Sequence, residues 1–149
     1  MIGIKIIWKF KMLIEVGFDD YKKDQSPDKL FTTWISSCLG CSVYYSDSKT
    51  CYLTQVSFSY DGSSKKLYEF FEEIEKDFKK LNKLELSLFG ICTHPKNKYW
   101  IRDSRNNRKF ILESLKSKNF SKITQKFNDW YFMIQATFDL FNGELEIKS

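Results

Sequence analysis

Apolar and polar residues alternate at the start of the chain. From Ile4 to Phe18 every even position is apolar, and lysines or a glutamate occupy several of the odd positions. Alternation of period two places one set of side chains on one face of a β-strand. The pattern therefore predicts a long opening strand whose even positions pack on a core.

Two later segments have helical spacing. Ser26 and Pro27 are typical of a helix start, and Gly40 is typical of a helix end. Between them the apolar residues recur at helical intervals: Leu30, Phe31, Trp34, Ile35 and Cys38. The apolar positions between Leu67 and Leu81 mark a second, amphipathic helix. The polar segment 19–27 is expected to be a loop.

Short strands are predicted at about 42–46, 51–60 and 84–92, so that the elements run β-α-β-β-α-β. This is the order of a ferredoxin-like α+β fold, an antiparallel sheet with helices on one face. A helix over 104–117 and a further helix capped by Ser121 extend it. The chain is expected to form a single domain over 1–149.

The C-terminal part is predicted to end in a β-hairpin around Asn142-Gly143, a strong turn signal. A two-residue turn there would place Leu140 opposite Leu145 and Phe138 opposite Ile147. Asp139 would then oppose Glu146. Whether 130–141 is strand or helix is left open by the pattern.

Composition supports a folded protein. The 149 residues are 42% hydrophobic and 17% aromatic and include only two prolines. The opening segment lacks the unbroken apolar centre of a signal peptide, and no run approaches the ~18 apolar residues of a membrane span. We therefore expect a cytoplasmic protein with reduced thiols and no membrane contact.

Cys38 and Cys41 form a C-x-x-C pair. A redox pair sits at a helix N-terminus, whereas the predicted helix precedes this pair and ends at Gly40. A redox function of the pair is therefore disfavoured. A zinc site would need Cys51 and Cys92 as the other two ligands, although they form no second C-x-x-C. The interpretation as small apolar core residues is favoured, and no metal site or cofactor is predicted.

Catalytic motifs are absent from the sequence. The single histidine, His94, lies two residues after Cys92, and a hydrolase using this pair is a minor alternative because no acid that would orient the imidazole lies nearby. Adjacent carboxylates such as Glu72 and Glu73 lie among lysines on a helix face. We expect a protein that is not an enzyme.

Charge is concentrated in one stretch. The net charge is +5, yet residues 94–126 hold ten Lys or Arg against two Asp or Glu, while residues 1–93 balance. On a helix, Arg102, Arg105, Lys109 and Lys116 fall on one side; we call these four residues the basic stripe. Arg108 flanks it. A surface of this kind binds an acidic protein or a phosphate backbone, and the simplest alternative is a solvated helix face.

Nucleic-acid binding through the sheet is disfavoured. A ferredoxin-like sheet that binds RNA carries a basic-Gly-aromatic pattern on its third strand. The corresponding segment here, 50–58, lacks the basic residue and the glycine. A nucleic-acid-binding accessory protein that uses the 96–126 stretch against the backbone stays as the alternative function.

The chain resembles small bacterial immunity proteins of contact-dependent toxin systems. The resemblance lies in the opening strand, IKIIWKFKM, and in the Trp-containing segment LFTTWISSCLG that follows it. It implies a compact inhibitor that binds one toxin domain tightly and blocks it. Many such inhibitors are acidic; a basic stripe instead suits a toxin with an acidic surface.

Overall fold

The computed structural model describes residues 12–57, 64–93, 96–127, 129 and 134–148. Within these residues the chain forms strands and two helices. In chain order they are β1 (Leu13–Glu15), β2 (Asp20–Gln25), β3 (Lys29–Ile35), β4 (Leu39–Tyr45), β5 (Thr50–Val56), α1 (Lys65–Asp77), β6 (Glu85–Gly90), α2 (Lys98–Leu115), β7 (Lys122–Phe127), β8 (Ile134–Asp139) and β9 (Glu144–Lys148).

The strands form two mixed sheets. The outer sheet has the order β1-β3-β8-β9, and the central sheet has the order β2-β5-β4-β6-β7. The pairs β1–β3 and β6–β7 are parallel, whereas the other neighbours are antiparallel.

The molecule has three layers, with the central sheet in the middle. Its inner face packs on the outer sheet around residues such as Leu30, Leu53 and Phe138, and we call this the inter-sheet core. Its other face packs on both helices around Phe70 and Ile111, the helix-side core. Because both faces are covered, all seven residues of β5 are buried.

Helix α1 confirms the predicted amphipathic helix. The Ser64 hydroxyl accepts a hydrogen bond from the backbone N–H of Leu67 at 3.2 Å, which satisfies one free donor of the first turn. The buried side chains recur with the period of one helix face: Leu67, Phe70, Phe71 and Ile74. Among the described residues, neither helix is long and apolar enough to cross a membrane.

The helix predicted between Ser26 and Gly40 is wrong. Residues Lys29–Ile35 form β3, which pairs with β8 in the outer sheet. The β3 register shifts between Thr32 and Ile35, a β-bulge that adds one residue to the strand. The buried positions therefore fall at Leu30, Thr32 and Ile35, and this spacing resembles that of a helix face.

The ferredoxin-like order is consequently not the order of the structure. The polar segment expected to be a loop contains the edge strand β2, and the helix expected after Ser121 is the edge strand β7. Charged residues are compatible with both because edge strands are exposed. The α+β class is confirmed. The sheets are mixed instead of antiparallel, and the helices that pack on one face of the central sheet are α1 and α2, not the predicted pair.

The opening strand is described only from residue 12 onward, where β1 covers Leu13–Glu15. Ile14 and Val16 pack on the inter-sheet core, as the alternation predicts. Met12 and Phe18 are 59% exposed, which contradicts the prediction for these two positions. The earlier even positions lie outside the described residues.

The C-terminal hairpin is confirmed, but its register is wrong. The turn has four residues, 140–143, so Asp139 opposes Glu144 and Phe138 opposes Leu145. Leu140 is fully buried, and the hydroxyl of Tyr44 donates to its carbonyl at 2.9 Å, which draws it out of the strand pairing. Gly143 closes the turn with a left-handed φ of +71°. Residues 134–139 are strand; 130–133 lie outside the described residues.

Candidate functional site

Helix α2 carries the basic stripe and is longer than predicted, Lys98–Leu115. The side chain of Asn97 caps its N-terminus by accepting a hydrogen bond from the Trp100 backbone N–H at 3.0 Å. Ile111 and Leu115 are buried on its apolar side. Phe110 is 46% exposed, because it lies at the margin of the apolar face.

One face of α2 is fixed to the backbone that follows β6. The indole N–H of Trp100 and the hydroxyl of Ser104 both donate to the carbonyl of Cys92, at 2.8 and 3.0 Å. One turn further, the guanidinium of Arg108 donates to the carbonyl of Ile91. These residues recur every four positions, which places them on one line along the helix. The helix is therefore held in a defined orientation.

The basic stripe lies on the opposite side of α2. Its four residues are all exposed. With ~100° per residue, they fall within about 60° of one another around the helix axis. The stripe is therefore a continuous basic strip along the surface of the helix layer.

Two members of the stripe have ion-pair partners. Arg102 contacts Asp103 at 3.3 Å, and Lys109 lies 4.0 Å from Glu113. Such exposed pairs contribute little and exchange readily with a partner's carboxylates. Within the described residues, Arg105 and Lys116 have no ion-pair partner, so their charges are available to a partner.

Arg108, which sequence reasoning placed beside the stripe, is largely occupied by contacts within the chain. Its side chain is 16% exposed, and its terminal nitrogen contacts the carboxylate of Asp129 at 2.7 Å. Its guanidinium also lies over the ring of Phe127. Arg108 thus fixes the orientation of α2. Its contacts with residues 91 and 129 could not be predicted from the neighbouring sequence.

Exposed aromatic residues border the same layer. Tyr99 is 73% exposed in the first turn of α2, and the guanidinium of Arg102 lies 5.4 Å from its ring centre. Tyr68 on α1 is 75% exposed. Tyr68 and Phe110 line a groove of about 350 Å³ between the two helices, whose floor includes Phe71.

Helix α1 has a small excess of acidic residues over lysines, and most of its carboxylates form ion pairs. The helix contains five acidic residues against three lysines: Glu69, Glu72, Glu73, Glu75 and Asp77 against Lys65, Lys66 and Lys76. Lys118, just after α2, forms an ion pair with Glu75 and bridges the two helices. Three further carboxylates of α1 also pair with lysines: Glu69 with Lys66, Glu73 with Lys76 and Asp77 with Lys23.

The cysteines do not form a joint site in the described residues. Cys41 belongs to the helix-side core, whereas Cys51 and Cys92 belong to the inter-sheet core, across the central sheet. Burial raises the pKa of the Cys41 and Cys51 thiols. No group of three or more metal-ligating side chains occurs in the part of the chain that the structure describes. The core interpretation of Cys41, Cys51 and Cys92 is therefore confirmed, while Cys38 is partly exposed.

Cys92 is fully buried, and burial raises the pKa of its thiol to about 11. The thiol is therefore protonated at neutral pH, which disfavours it as a nucleophile. The other half of the suggested dyad, His94, lies outside the described residues.

Sequence reasoning missed Trp34, which it placed on a helix face turned to the core. The side chain is 74% exposed, and the backbone has a left-handed φ of +61°. Thr32 and Ile35, on either side of the bulge, are fully buried. The adjacent β-branched pair Thr32-Thr33 was the one available signal of a strand here.

No protein-family model matches the chain, and no curated protein matches it in sequence.

Proposed function

We propose that this chain is a non-enzymatic protein-binding inhibitor of the immunity type, which neutralises a toxin domain by direct complex formation. The basic stripe of α2 is the binding surface. The observation that carries the proposal is the combination of four exposed cations on one side of α2 with the fixed backbone attachment on its other side. The helix that carries the charged side chains is thereby held in place before binding, which lowers the entropic cost of association.

The neighbouring side chains suit a protein partner. Tyr and Arg are enriched among the residues that dominate binding energy at protein interfaces. Tyr99 and Arg102 are exposed and lie against each other, and Tyr68 and Phe110 extend the aromatic surface towards α1. A partner with acidic side chains opposite the stripe would associate quickly and specifically.

The mixed charge of α1 favours a protein over a phosphate backbone. A nucleic acid is uniformly negative and gains nothing from the carboxylates of α1. A protein surface can place negative groups against α2 and positive groups against α1. The mixed charge of the helix layer therefore supports the protein-binding proposal over the nucleic-acid alternative.

Affinity capture from the native cell tests the proposal. Three baits are compared: the wild-type protein, Arg105→Glu with Lys109→Glu, and the control Lys22→Glu with Lys148→Glu. The control makes the same charge change on exposed residues of β2 and β9, away from α2. We expect the wild type and the control to recover the same partner, whose activity is blocked in the complex, and the stripe variant to lose it.

Recovery of the same partner by all three baits would contradict the role of the stripe. A gel-shift titration with duplex DNA tests the alternative function, which is nucleic-acid binding. A nucleic-acid binder would shift the duplex at ~0.05 M salt and lose ~10³-fold or more of its affinity by ~0.2 M. We expect no shift at either concentration.

A further inference from the structure

The backbone at Trp34 is strained. Its φ of +61° lies in the left-handed region, which is rare for residues other than glycine and unfavourable for a bulky side chain. Between the pairs Thr32–Ala136 and Ile35–Ile134, β3 has one residue more than β8. Such bulges redirect a side chain away from the regular alternation of a strand.

The fold gains little from the indole itself. Burial of a large aromatic side chain would compensate the strain, yet Trp34 is 74% exposed. A glycine at this position would have the same backbone without strain. Strained residues of this kind concentrate at functional sites, where the surrounding structure holds them in place.

The bulge is connected to the start of α2. The backbone N–H of Cys92 donates to the carbonyl of Ser36 at 2.7 Å, and that of Ile91 donates to Cys38 at 2.8 Å. Ile91 and Cys92 are the residues to which α2 is fixed. Ser37 and Tyr99 also line a common cleft of about 380 Å³.

Tyr99 links the segment that follows the Trp34 bulge to the basic stripe. It lines the cleft together with Ser37, and the guanidinium of Arg102 lies over its ring. Trp, Tyr and Arg are the three residue types most enriched at the centres of protein interfaces. The partner that fits is thus an acidic protein surface with an apolar pocket for an indole ring.

We infer that Trp34 is the anchor side chain of the partner interface, inserted into an apolar pocket of the acidic protein that the basic stripe attracts. The inference rests on the proposed function for the nature of the partner. The bulge holds the indole outside the strand pairing and ready to bind. Charge would then select the partner, and the buried indole would prolong the complex.

A selection with defined probes tests this anchor. A phage-displayed library of random linear peptides is selected on the wild-type protein, and the enriched peptides are measured on Trp34→Gly, Trp34→Ala and Phe141→Ala. Phe141 is a matched control, an exposed aromatic in the β8–β9 turn that contacts Lys49. We expect acidic peptides with an aromatic or aliphatic residue that bind both Trp34 variants at least ~30-fold more weakly and Phe141→Ala unchanged.

Trp34→Ala keeps the backbone strain and Trp34→Gly removes it, so a loss shared by both is due to the missing ring. Enriched peptides that bind the Trp34 variants as tightly as the wild type would overturn the anchor, as would a library without enriched peptides. Peptides that no longer bind Arg105→Glu with Lys109→Glu but still bind Trp34→Gly would support the proposed function and contradict the role of Trp34 as the anchor. Peptides that bind the stripe variant but not Trp34→Gly would support the anchor and contradict the role of the basic stripe.

Discussion

The guanidinium of Arg108 donates two hydrogen bonds to the backbone carbonyl of Ile91, at 2.8 and 3.1 Å. Ile91 has a left-handed φ of +41° and follows directly on the end of β6. Its carbonyl therefore cannot continue the regular strand pairing, and a charged side chain from α2 satisfies it instead. This contact joins the helix that carries the basic stripe to the central sheet.

Replacement of Arg108 by alanine should lower stability. The partly buried carbonyl would lose a charge-assisted donor, and we expect a decrease of about 2 kcal/mol in the free energy of unfolding. Urea denaturation measures it. Arg105→Ala, one turn earlier on the exposed side, is the matched control and should change stability by less than ~0.5 kcal/mol. Equal stability of the two variants would show that the Ile91 contact is not structural.

Gly40 and Phe89 form a second close pair, directly opposite each other on β4 and β6. The aromatic ring lies across the glycine, so a Cβ at position 40 would come within 1.9 Å of the ring atom Cε2. Gly40→Ala should therefore destabilise the protein by ~3 kcal/mol through overpacking.

A double-mutant cycle separates the ring from other causes. In a Phe89→Leu background the same Gly40→Ala substitution should cost less than half as much. An undiminished cost there would mean that the ring is not what excludes a side chain at position 40. Thermal or urea unfolding of the four proteins supplies the cycle.

Stability should fall at alkaline pH because of the buried thiols. Burial raises the pKa of Cys92 from 9.0 to about 11. Between these values the unfolded chain has released a proton that the folded chain retains, so the free energy of unfolding declines by about 1.4 kcal/mol per pH unit for this group. Its contribution is fully present below pH 9.

Cys92→Ala should flatten that decline by the same amount, measured by urea denaturation under reducing conditions across this pH range. Parallel pH profiles for the wild type and the variant would contradict the assignment. The difference in the free energy of unfolding between the two proteins at neutral pH measures the packing lost with the sulfur, and it is subtracted from both profiles.

Trp34→Gly should be more stable than the wild type, although it removes a large side chain. Glycine relieves the left-handed strain at this position, and the exposed indole contributes little packing, so we expect a gain of about 1 kcal/mol. Trp34→Ala keeps the strain and should not show the gain. A clear loss of stability in Trp34→Gly would indicate that the indole supports the fold.

Sequence patterns predicted the elements whose period is regular. Helix α1 follows from its apolar spacing, and most of α2 follows from the helical spacing of Phe110, Ile111 and Leu115. The exposed side of α2 was also predictable, because it depends on helical geometry alone. The basic stripe is thus a local property of the chain.

The errors have a common physical cause, which is that contacts distant in sequence override local signals. The extra residue of the β3 bulge turns period two into an apparent helical spacing at Leu30 and Ile35. Ser121, predicted as a helix cap, instead donates from its hydroxyl and its backbone N–H to the carbonyl of Leu84, which starts β7 beside β6. Neither partner can be inferred from neighbouring residues.

The same limitation applies to the site. Arg108 shares the charge and helical neighbourhood of the stripe, but its contacts with the Ile91 carbonyl and with Asp129 turn it away from the exposed side of α2. For Trp34 the error runs in the other direction. Its apolar character predicted a core position, but the bulge leaves the side chain exposed. Both reassignments depend on tertiary contacts near the end of β6.

The most direct test of the central claim is the dissociation constant of the complex between this protein and the purified partner recovered by capture, measured by calorimetry. We predict that Arg105→Glu with Lys109→Glu raises Kd at least ~100-fold, since like charges would then face each other, while Lys22→Glu with Lys148→Glu changes it by less than ~3-fold. Equal Kd values for the two variants would contradict the claim that the basic stripe binds the partner.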